Sequence, residues 1–193
     1  MKKKTITLLG KNKLISHDRL YFHMYKALKW SEKLKRNVNS SYLKRNMTNQ
    51  ELFYHPLWIA KTLVIAGRSP FPPKKIPKMI FVDAISGYRG MLSTVPDMVD
   101  IDVKPKELNE VGITVEEAEK YIKDVQEKQI NRSYVLKKPD HQLVELSLVH
   151  LPLWKVIVKS DVVNKEFIIN ANTGESEEYM GNFWQESKWM RIG

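Results

Sequence analysis

The fold is decided by a stretch that reads LPLWKVIVK at residues 151–159 and continues as FIINANTGE at residues 167–175. An earlier, diverged copy reads HPLWIAKTLV at residues 55–64 and IFVDAISG at residues 80–87. Each copy has a Pro-Leu-Trp entry, an apolar run typical of a β-strand, and a second apolar run that ends on Asp/Asn-Ala-x-Ser/Thr-Gly. The repeat predicts two hairpins of the same design.

The candidate structural motif of these hairpins consists of Trp58, Asp83, Gly87, Trp154, Asn170 and Gly174. The two glycines are predicted to take the left-handed conformation that the turn needs, because glycine has no Cβ. The aspartate and the asparagine are placed to hydrogen-bond the turn backbone with their side chains. The two tryptophans are large apolar side chains beside a proline, which indicates core positions.

A helix is predicted ahead of each hairpin. The first runs from Ser16, a residue suited to capping a helix start, to about residue 36, with apolar side chains spaced close to every 3.6 residues. The second begins at Thr114, in the Thr-x-x-Glu pattern of a capping box. Both helices are followed by an Asn-x-Ser-Tyr exit, at residues 39–42 and 131–134. The repeat therefore includes the helix as well as the hairpin.

Short strands are predicted around these helices. One lies at the N-terminus, and the others are at residues 42–43, 52–54, 57–66, 79–83, 88–92, 134–136, 144–149, 153–159 and 165–170. Runs of antiparallel strands beside one helix belong to the α+β class. The predicted fold is therefore two units, each with one helix packed on a curled antiparallel sheet.

The predicted domain organisation follows the repeat. Residues 1–95 form the first repeat, with a stiff Pro-rich loop at residues 67–78, and residues 96–112 form a linker without periodicity. Residues 113–182 form the second repeat, and residues 183–193 form a tail with two tryptophans. The alternation of Val99, Ile101 and Val103 leaves open a short edge strand inside the linker.

Composition limits the cellular setting. The chain has no cysteine, so disulfides and thiolate chemistry are excluded and nothing argues for an oxidising compartment. The apolar run near the N-terminus is shorter than the roughly 7–15 residues of a signal peptide. No stretch reaches the roughly 18–20 apolar residues of a membrane span. We therefore expect a cytoplasmic protein without a transmembrane segment.

Catalytic chemistry is not indicated by the sequence. The five histidines have no metal-ligand spacing, and there is no nucleophile elbow or phosphate-binding glycine loop. Asp97, Asp100 and Asp102 lie close together, but their spacing matches no calcium loop. The prediction is a protein with no catalytic residues, no metal and no cofactor.

The chain resembles the PepSY domain of the peptidase-propeptide type. The resemblance is clearest over residues 113–180, in the helix that opens Thr-Val-Glu-Glu-Ala, the strand with a tryptophan, and the Asn-Ala-x-Thr-Gly-Glu segment. Residues 17–92 carry a more diverged copy, which has Asp83, the usual residue of the family, where the second copy has Asn170. The resemblance implies tandem cystatin-like folds and a non-catalytic role. PepSY members are typically secreted or membrane-linked, and they lie beside peptidases or act as inhibitory or sensing modules.

Charge suggests a second hypothesis. The net charge is +10, and the excess of lysine and arginine lies in residues 1–78. One hypothesis is a regulatory protein that binds a protein partner, such as a peptidase, at an exposed sheet edge or in the groove between the two halves. The alternative is binding of a nucleic acid or another anionic surface through the basic half. Its candidate contacts are Lys33, Lys35, Arg36, Lys44, Arg45, Lys74, Lys75 and Lys78.

Overall fold

The structure, a computed structural model, describes residues 3–35 and 37–185. Its strands are β1 (Lys4–Leu9), β2 (Met47–Arg68), β3 (Phe71–Asp83), β4 (Arg89–Leu92), β5 (Met98–Val103), β6 (Asp140–Lys159) and β7 (Asn164–Asn170). Its helices are α1 (His17–Ala27), α2 (Trp30–Lys33), α3 (Ser40–Arg45), α4 (Val115–Val125) and α5 (Glu178–Gln185). Helical turns lie at Pro105–Glu107, Gln126–Ile130 and Asn131–Ser133. The fold is α+β with seven strands in a mixed sheet, which confirms the predicted class.

The chain divides into two compact units, and neither is continuous in sequence. Unit 1 contains the described residues of Met1–His55, together with Asp97–Asn109 and His150–Gln185. Unit 2 contains Pro56–Pro96 and Glu110–Val149. The segments predicted as the first repeat (residues 1–95) and the second repeat (residues 113–182) each contribute to both units. Within the described residues, no helix is long and apolar enough to cross a membrane.

In unit 1, α1 packs against the hairpin formed by β6 and β7. The two strands pair antiparallel, from Leu153 opposite Asn170 to Lys159 opposite Asn164. One core cluster joins the buried face of the helix to the hairpin and includes Leu20, Tyr21, Met24, Val156, Val158, Phe167 and Ile169. The 3.6-residue spacing of the sequence predicts a face with Leu20, Met24 and Leu28, which are buried, but it also includes Leu34, which lies beyond α1 and is exposed.

The edge of unit 1 is formed by β1 and β5. These strands pair antiparallel from Lys4 opposite Val103 to Leu9 opposite Met98, and β1 lies parallel to β6 at Leu8 and His150. The short edge strand that the sequence left possible within the predicted linker is therefore present, as β5.

In unit 2, α4 packs against the hairpin formed by β2 and β3. The hairpin begins with Leu57 opposite Asp83, and β4 pairs with the end of β3. The shared core cluster includes Trp58, Ile80, Val82, Ala118, Ile122 and Val125. The predicted capping box is present, with the N–H of Glu117 donating to the Thr114 side chain and the Glu117 carboxylate accepting from the N–H of Thr114.

The helix enters each unit in the same way. In unit 1 the N–H of Ile15 donates to the Ala171 carbonyl at 2.8 Å, and in unit 2 the N–H of Ile113 donates to the Ala84 carbonyl at 2.9 Å. In both units the next residue caps the helix with its side-chain oxygen. The helix from the first half of the sequence therefore packs on the hairpin from the second half, and the second helix packs on the first hairpin.

The helical segment before the first hairpin differs from the prediction. The predicted continuous helix ends at Ala27 and is followed by the short α2, because the N–H of Leu28 turns back to the Tyr25 carbonyl. The strand predicted at residues 42–43 is wrong, since these residues lie in α3. The Asn39 side chain accepts from the N–H of Tyr42 and so favours a helix start at this point.

The strands are longer than predicted. β2 and β6 each run without interruption through the proline of the Pro-Leu-Trp entry, and β3 includes most of the segment predicted as a Pro-rich loop at residues 67–78. Proline fixes φ at a value compatible with extended backbone, so the predicted stiffness takes the form of a strand. The strand predicted at residues 134–136 is absent, because a helical turn occupies residues 131–133 and the chain then bends. Residues 186–193 of the predicted tail lie outside the described residues.

Candidate functional site

The tryptophans of the predicted structural motif occupy matching places in the two hairpins. Trp58 pairs with the residue before Asp83, and Trp154 pairs with the residue before Asn170. Their indole groups differ in hydrogen bonding. The Trp58 Nε1–H donates to the Ile113 carbonyl at 2.9 Å, whereas the Trp154 Nε1 is buried with no hydrogen-bond partner among the described residues. The first tryptophan thus fixes the start of α4, and the second contributes packing alone.

The two turns are held by one side-chain oxygen each. The Asp83 Oδ1 accepts from the N–H groups of Ile85 and Ser86 at 2.8 and 3.0 Å. The Asn170 Oδ1 accepts from the N–H groups of Asn172 and Thr173 at 3.0 and 3.2 Å. The glycines of the motif follow with φ values of 73° and 79°, in the left-handed region. These residues therefore act in the scaffold.

The basic residues of unit 1 have local partners. The Lys33 Nζ donates to the Lys26 carbonyl at 2.7 Å, and the Lys35 Nζ donates to the Val162 carbonyl at 3.2 Å. Lys44 forms an ion pair with Asp18 at 3.2 Å. Arg45 follows at the end of α3, and Arg36 lies outside the described residues. Three of these positions therefore have a structural explanation, since each amine holds a neighbouring segment.

The remaining predicted contacts lie in unit 2, on the hairpin of β2 and β3. Lys74, Lys75 and Lys78 project from β3 and form no ion pair with any described residue. Residues 52–82 contain no aspartate or glutamate, so nothing within this segment offsets their charge. The predicted basic set is thus divided between the two units.

An apolar groove of about 620 Å³ opens on unit 2. Its floor comes from paired strand residues, with Lys61 opposite Met79 and Leu63 opposite Pro77. Because side chains alternate along a strand, these residues lie on the hairpin face opposite the one that packs on α4. The walls come from Met91, Leu92, Ser93, Thr94, Val95 and Val144.

Charge is found at only a few points of the groove. Lys61 pairs with Glu145 at 2.6 Å, so its amine is already neutralised. Lys78 has no such partner among the described residues. The side chain of Val95 is 72% exposed and that of Met91 is 40% exposed, whereas Met79 is buried. The groove thus offers adaptable thioether and aliphatic surface beside the Lys78 amine.

Sequence reasoning missed this groove. Its residues come from four separated segments, and each of them reads as an ordinary strand or loop position. The exposure of Met91 and Val95, which marks the groove, becomes apparent only in the folded structure.

Buried polar side chains form a second feature that the sequence did not reveal, in unit 1. His55 and His150 are nearly fully buried, and the Nδ2 of Asn109 lies 3.3 Å from the His55 Nδ1. Burial raises the pKa of the Glu177 carboxyl, although its hydrogen bond from Asn170 acts in the opposite direction. Nowhere in the described ranges do three or more His, Asp or Glu side chains form a group able to hold a metal ion.

His150 is expected to make the protein less stable in mild acid. Burial, with the positive charge of Lys4 nearby, lowers the pKa of His150 to about 4 from an ordinary value of 6.5. Between these two values the unfolded chain binds more protons than the folded chain, so stability falls as pH decreases from 6.5 towards 4. We expect a loss of about 2–3 kcal/mol over this window, measured by urea unfolding at several pH values.

The variant His150→Gln provides the control for this effect. Glutamine does not titrate, so the free energy of unfolding of the variant should vary less between pH 6.5 and pH 4 than that of the unchanged chain. Carboxylates titrate in both proteins, and their contribution cancels in the difference. Identical pH profiles would show that His150 is not the titrating group.

In comparisons with known proteins, no family model, no curated sequence and no solved structure matched this chain. The resemblance to PepSY domains therefore remains a prediction from the sequence motifs.

Proposed function

We propose that this chain is a non-catalytic protein-binding module, and that the groove of unit 2 receives an apolar side chain of its protein partner. The observation that supports the proposal is the groove itself, about 620 Å³ of predominantly aliphatic and thioether lining open to solvent. Clefts of this size, with a few polar groups at defined points, are typical ligand sites. Methionine suits such a surface because its flexible side chain adapts to different partners.

Strand addition to the free edge of β3 is less favoured than side-chain binding in the groove. Beyond Met79, where β4 ends its pairing, the strand carries Pro72, Pro73 and Pro77. Proline has no N–H, so an added strand would lose hydrogen bonds at these positions. The prolines thus block the edge, and the adjoining groove remains the place where a peptide can bind.

The composition of the groove also indicates the preferred peptide. The Lys78 amine has no acidic partner within the described ranges, and it lies beside the apolar lining. A peptide with a large aliphatic or aromatic residue next to a carboxylate would satisfy both features. The PepSY resemblance makes a peptidase, or its propeptide, the first class of partner to examine.

The alternative hypothesis, an anionic partner for the basic half of the chain, retains only part of its basis. Lys33, Lys35 and Lys44 hold neighbouring segments in unit 1. Lys74 and Lys75 of unit 2 remain available, because no described residue forms an ion pair with them. Any such partner is therefore expected to contact the hairpin of unit 2.

Peptide selection followed by one substitution tests the groove. The full chain is used to select binders from a random peptide library, and their affinities are measured by fluorescence anisotropy. We expect the selected peptides to be apolar and to contain an acidic residue. Val95→Asp should lower their affinity at least about tenfold, because it places a negative charge at the groove wall. Val95 is 72% exposed, so the substitution leaves the core unchanged.

The matched control is Val115→Asp, the same change at a position 43% exposed at the start of α4. An acidic residue in the first turn of a helix is well tolerated, and this variant should bind the peptides as the unchanged chain does. Selection of no peptide, or equal effects of the two substitutions, would refute the proposed site.

A further inference from the structure

Three fully or largely exposed apolar side chains lie at two tips of unit 2. Val135 is 94% exposed and Leu136 is 101% exposed, in the loop at residues 134–138. Phe71 is 68% exposed and lies at the start of β3, directly after the turn of the hairpin. Exposed apolar side chains of this size at loop tips are costly in water, which points to a contact that buries them.

Basic side chains surround these apolar tips. The hairpin end carries Arg68, Lys74 and Lys75, and the loop carries Lys137 and Lys138. No described residue forms an ion pair with any of the five. Arg68 donates from Nε to the Pro72 carbonyl at 3.2 Å, which holds it across the base of the turn. We call these five residues, with Phe71, Val135 and Leu136, the tip surface.

The two tips are adjacent in the fold. Lys137 lies over Gly67 of β2, since its Cδ and Nζ are 4.0 Å from the position that a Cβ on Gly67 would take. Gly67 immediately precedes Arg68, at the end of β2. The loop at residues 134–138 therefore lies beside the hairpin end, which brings the two tips close together in unit 2.

We propose that the tip surface binds an anionic membrane surface, with Phe71, Val135 and Leu136 entering the acyl-chain boundary and the lysines contacting the lipid headgroups. The tip surface combines exposed apolar side chains with lysines and arginine. An anionic membrane surface satisfies both, because its acyl chains accept the apolar side chains and its headgroups attract the cations. Of the three exposed apolar side chains, only Phe71 has an aromatic face on which a base can stack, whereas Val135 and Leu136, the two most exposed, contribute little to a nucleic-acid site. This site is separate from the groove proposed for the protein partner.

The test exploits the absence of cysteine from the chain. Leu136→Cys creates a single labelling position for an environment-sensitive fluorophore, and Val115→Cys provides the matched control at an exposed position of the same unit. The labelled full chains are mixed with vesicles of phosphatidylcholine containing about a third phosphatidylserine. We expect a blue shift at residue 136 that is quenched by brominated acyl chains, and no shift at residue 115.

The energetics are tested with unlabelled protein by vesicle sedimentation. The double variant Lys137→Gln/Lys138→Gln should bind about 25-fold more weakly, because each lysine near an anionic surface contributes about fivefold. The double variant Val135→Ser/Leu136→Ser should bind the vesicles at least about tenfold more weakly. The control Val111→Ser/Val115→Ser should bind them with unchanged affinity. Thermal melts verify that each variant folds.

Three results would overturn the proposal: no shift at residue 136, equal shifts at both labelled positions, or equal binding to vesicles without phosphatidylserine. A fourth would be binding of duplex RNA or DNA that is stronger than vesicle binding and is unchanged in Val135→Ser/Leu136→Ser. That outcome would assign the lysines to a nucleic acid and leave the apolar tips without a role.

Discussion

Replacement of Trp58 by alanine is expected to lower the free energy of unfolding by about 3–5 kcal/mol, measured by urea unfolding followed by circular dichroism. The side chain is 9% exposed and belongs to the core cluster that joins the first hairpin to α4. Its Nε1–H also donates to the Ile113 carbonyl, the residue before the N-cap of α4. Alanine therefore leaves a cavity and an unpaired buried carbonyl at the same place.

Phenylalanine variants separate packing from the hydrogen bond. Trp58→Phe retains most of the apolar surface but leaves the Ile113 carbonyl without its donor, so we expect a loss of about 1–2 kcal/mol. Trp154→Phe is the matched control, because the Trp154 Nε1 has no hydrogen-bond partner among the described residues. Trp154→Phe should therefore lower the free energy of unfolding clearly less than Trp58→Phe does. Equal losses at the two positions would contradict the role given to the Trp58 hydrogen bond.

The hairpin turns could be anticipated from the sequence because they depend on neighbouring residues. The Asp83 side chain reaches N–H groups two and three residues ahead, and the glycine that follows supplies a positive φ. The same holds for the cap at Thr114, which bonds the residue three positions later. Interactions this short in sequence leave a compositional pattern that can be read directly.

The partner of each helix could not be predicted in this way. Periodicity shows that α1 and α4 have one apolar face, but any apolar sheet face of suitable size satisfies such a helix. The choice depends on contacts distant in sequence, such as the hydrogen bond from Ile15 to Ala171. Two similar hairpins in one chain make the ambiguity worse, since the sequence offers each helix two nearly equivalent surfaces.

The groove could not be predicted from the sequence for a related reason. Leu63, Met79, Met91 and Val144 are ordinary apolar strand residues in the sequence, and only the folded sheet brings them together around one groove. The basic residues were selected by counting charge along the chain, which carries no information about the unit to which each residue belongs. The structure assigns those positions to two units, and in unit 1 the amines of Lys33 and Lys35 donate to neighbouring backbone carbonyls.

Replacement of Asp83 by alanine is expected to lower the free energy of unfolding by about 3–4 kcal/mol. Asp83 is fully buried, and its Oδ1 accepts from two N–H groups at 2.8 and 3.0 Å. Alanine removes the acceptor and leaves both donors unsatisfied inside the protein, and each unsatisfied donor costs about 1–3 kcal/mol. Urea unfolding measures the loss.

The variant Asp83→Asn decides which property of the aspartate matters. In the equivalent turn of unit 1 an asparagine, Asn170, accepts from two N–H groups at 3.0 and 3.2 Å. An amide oxygen at position 83 can do the same, so the loss should be less than about half of that caused by alanine. If Asn and Ala are equally destabilising, the turn depends on the negative charge of Asp83. The two copies of the motif would then be held by different interactions, despite their common register.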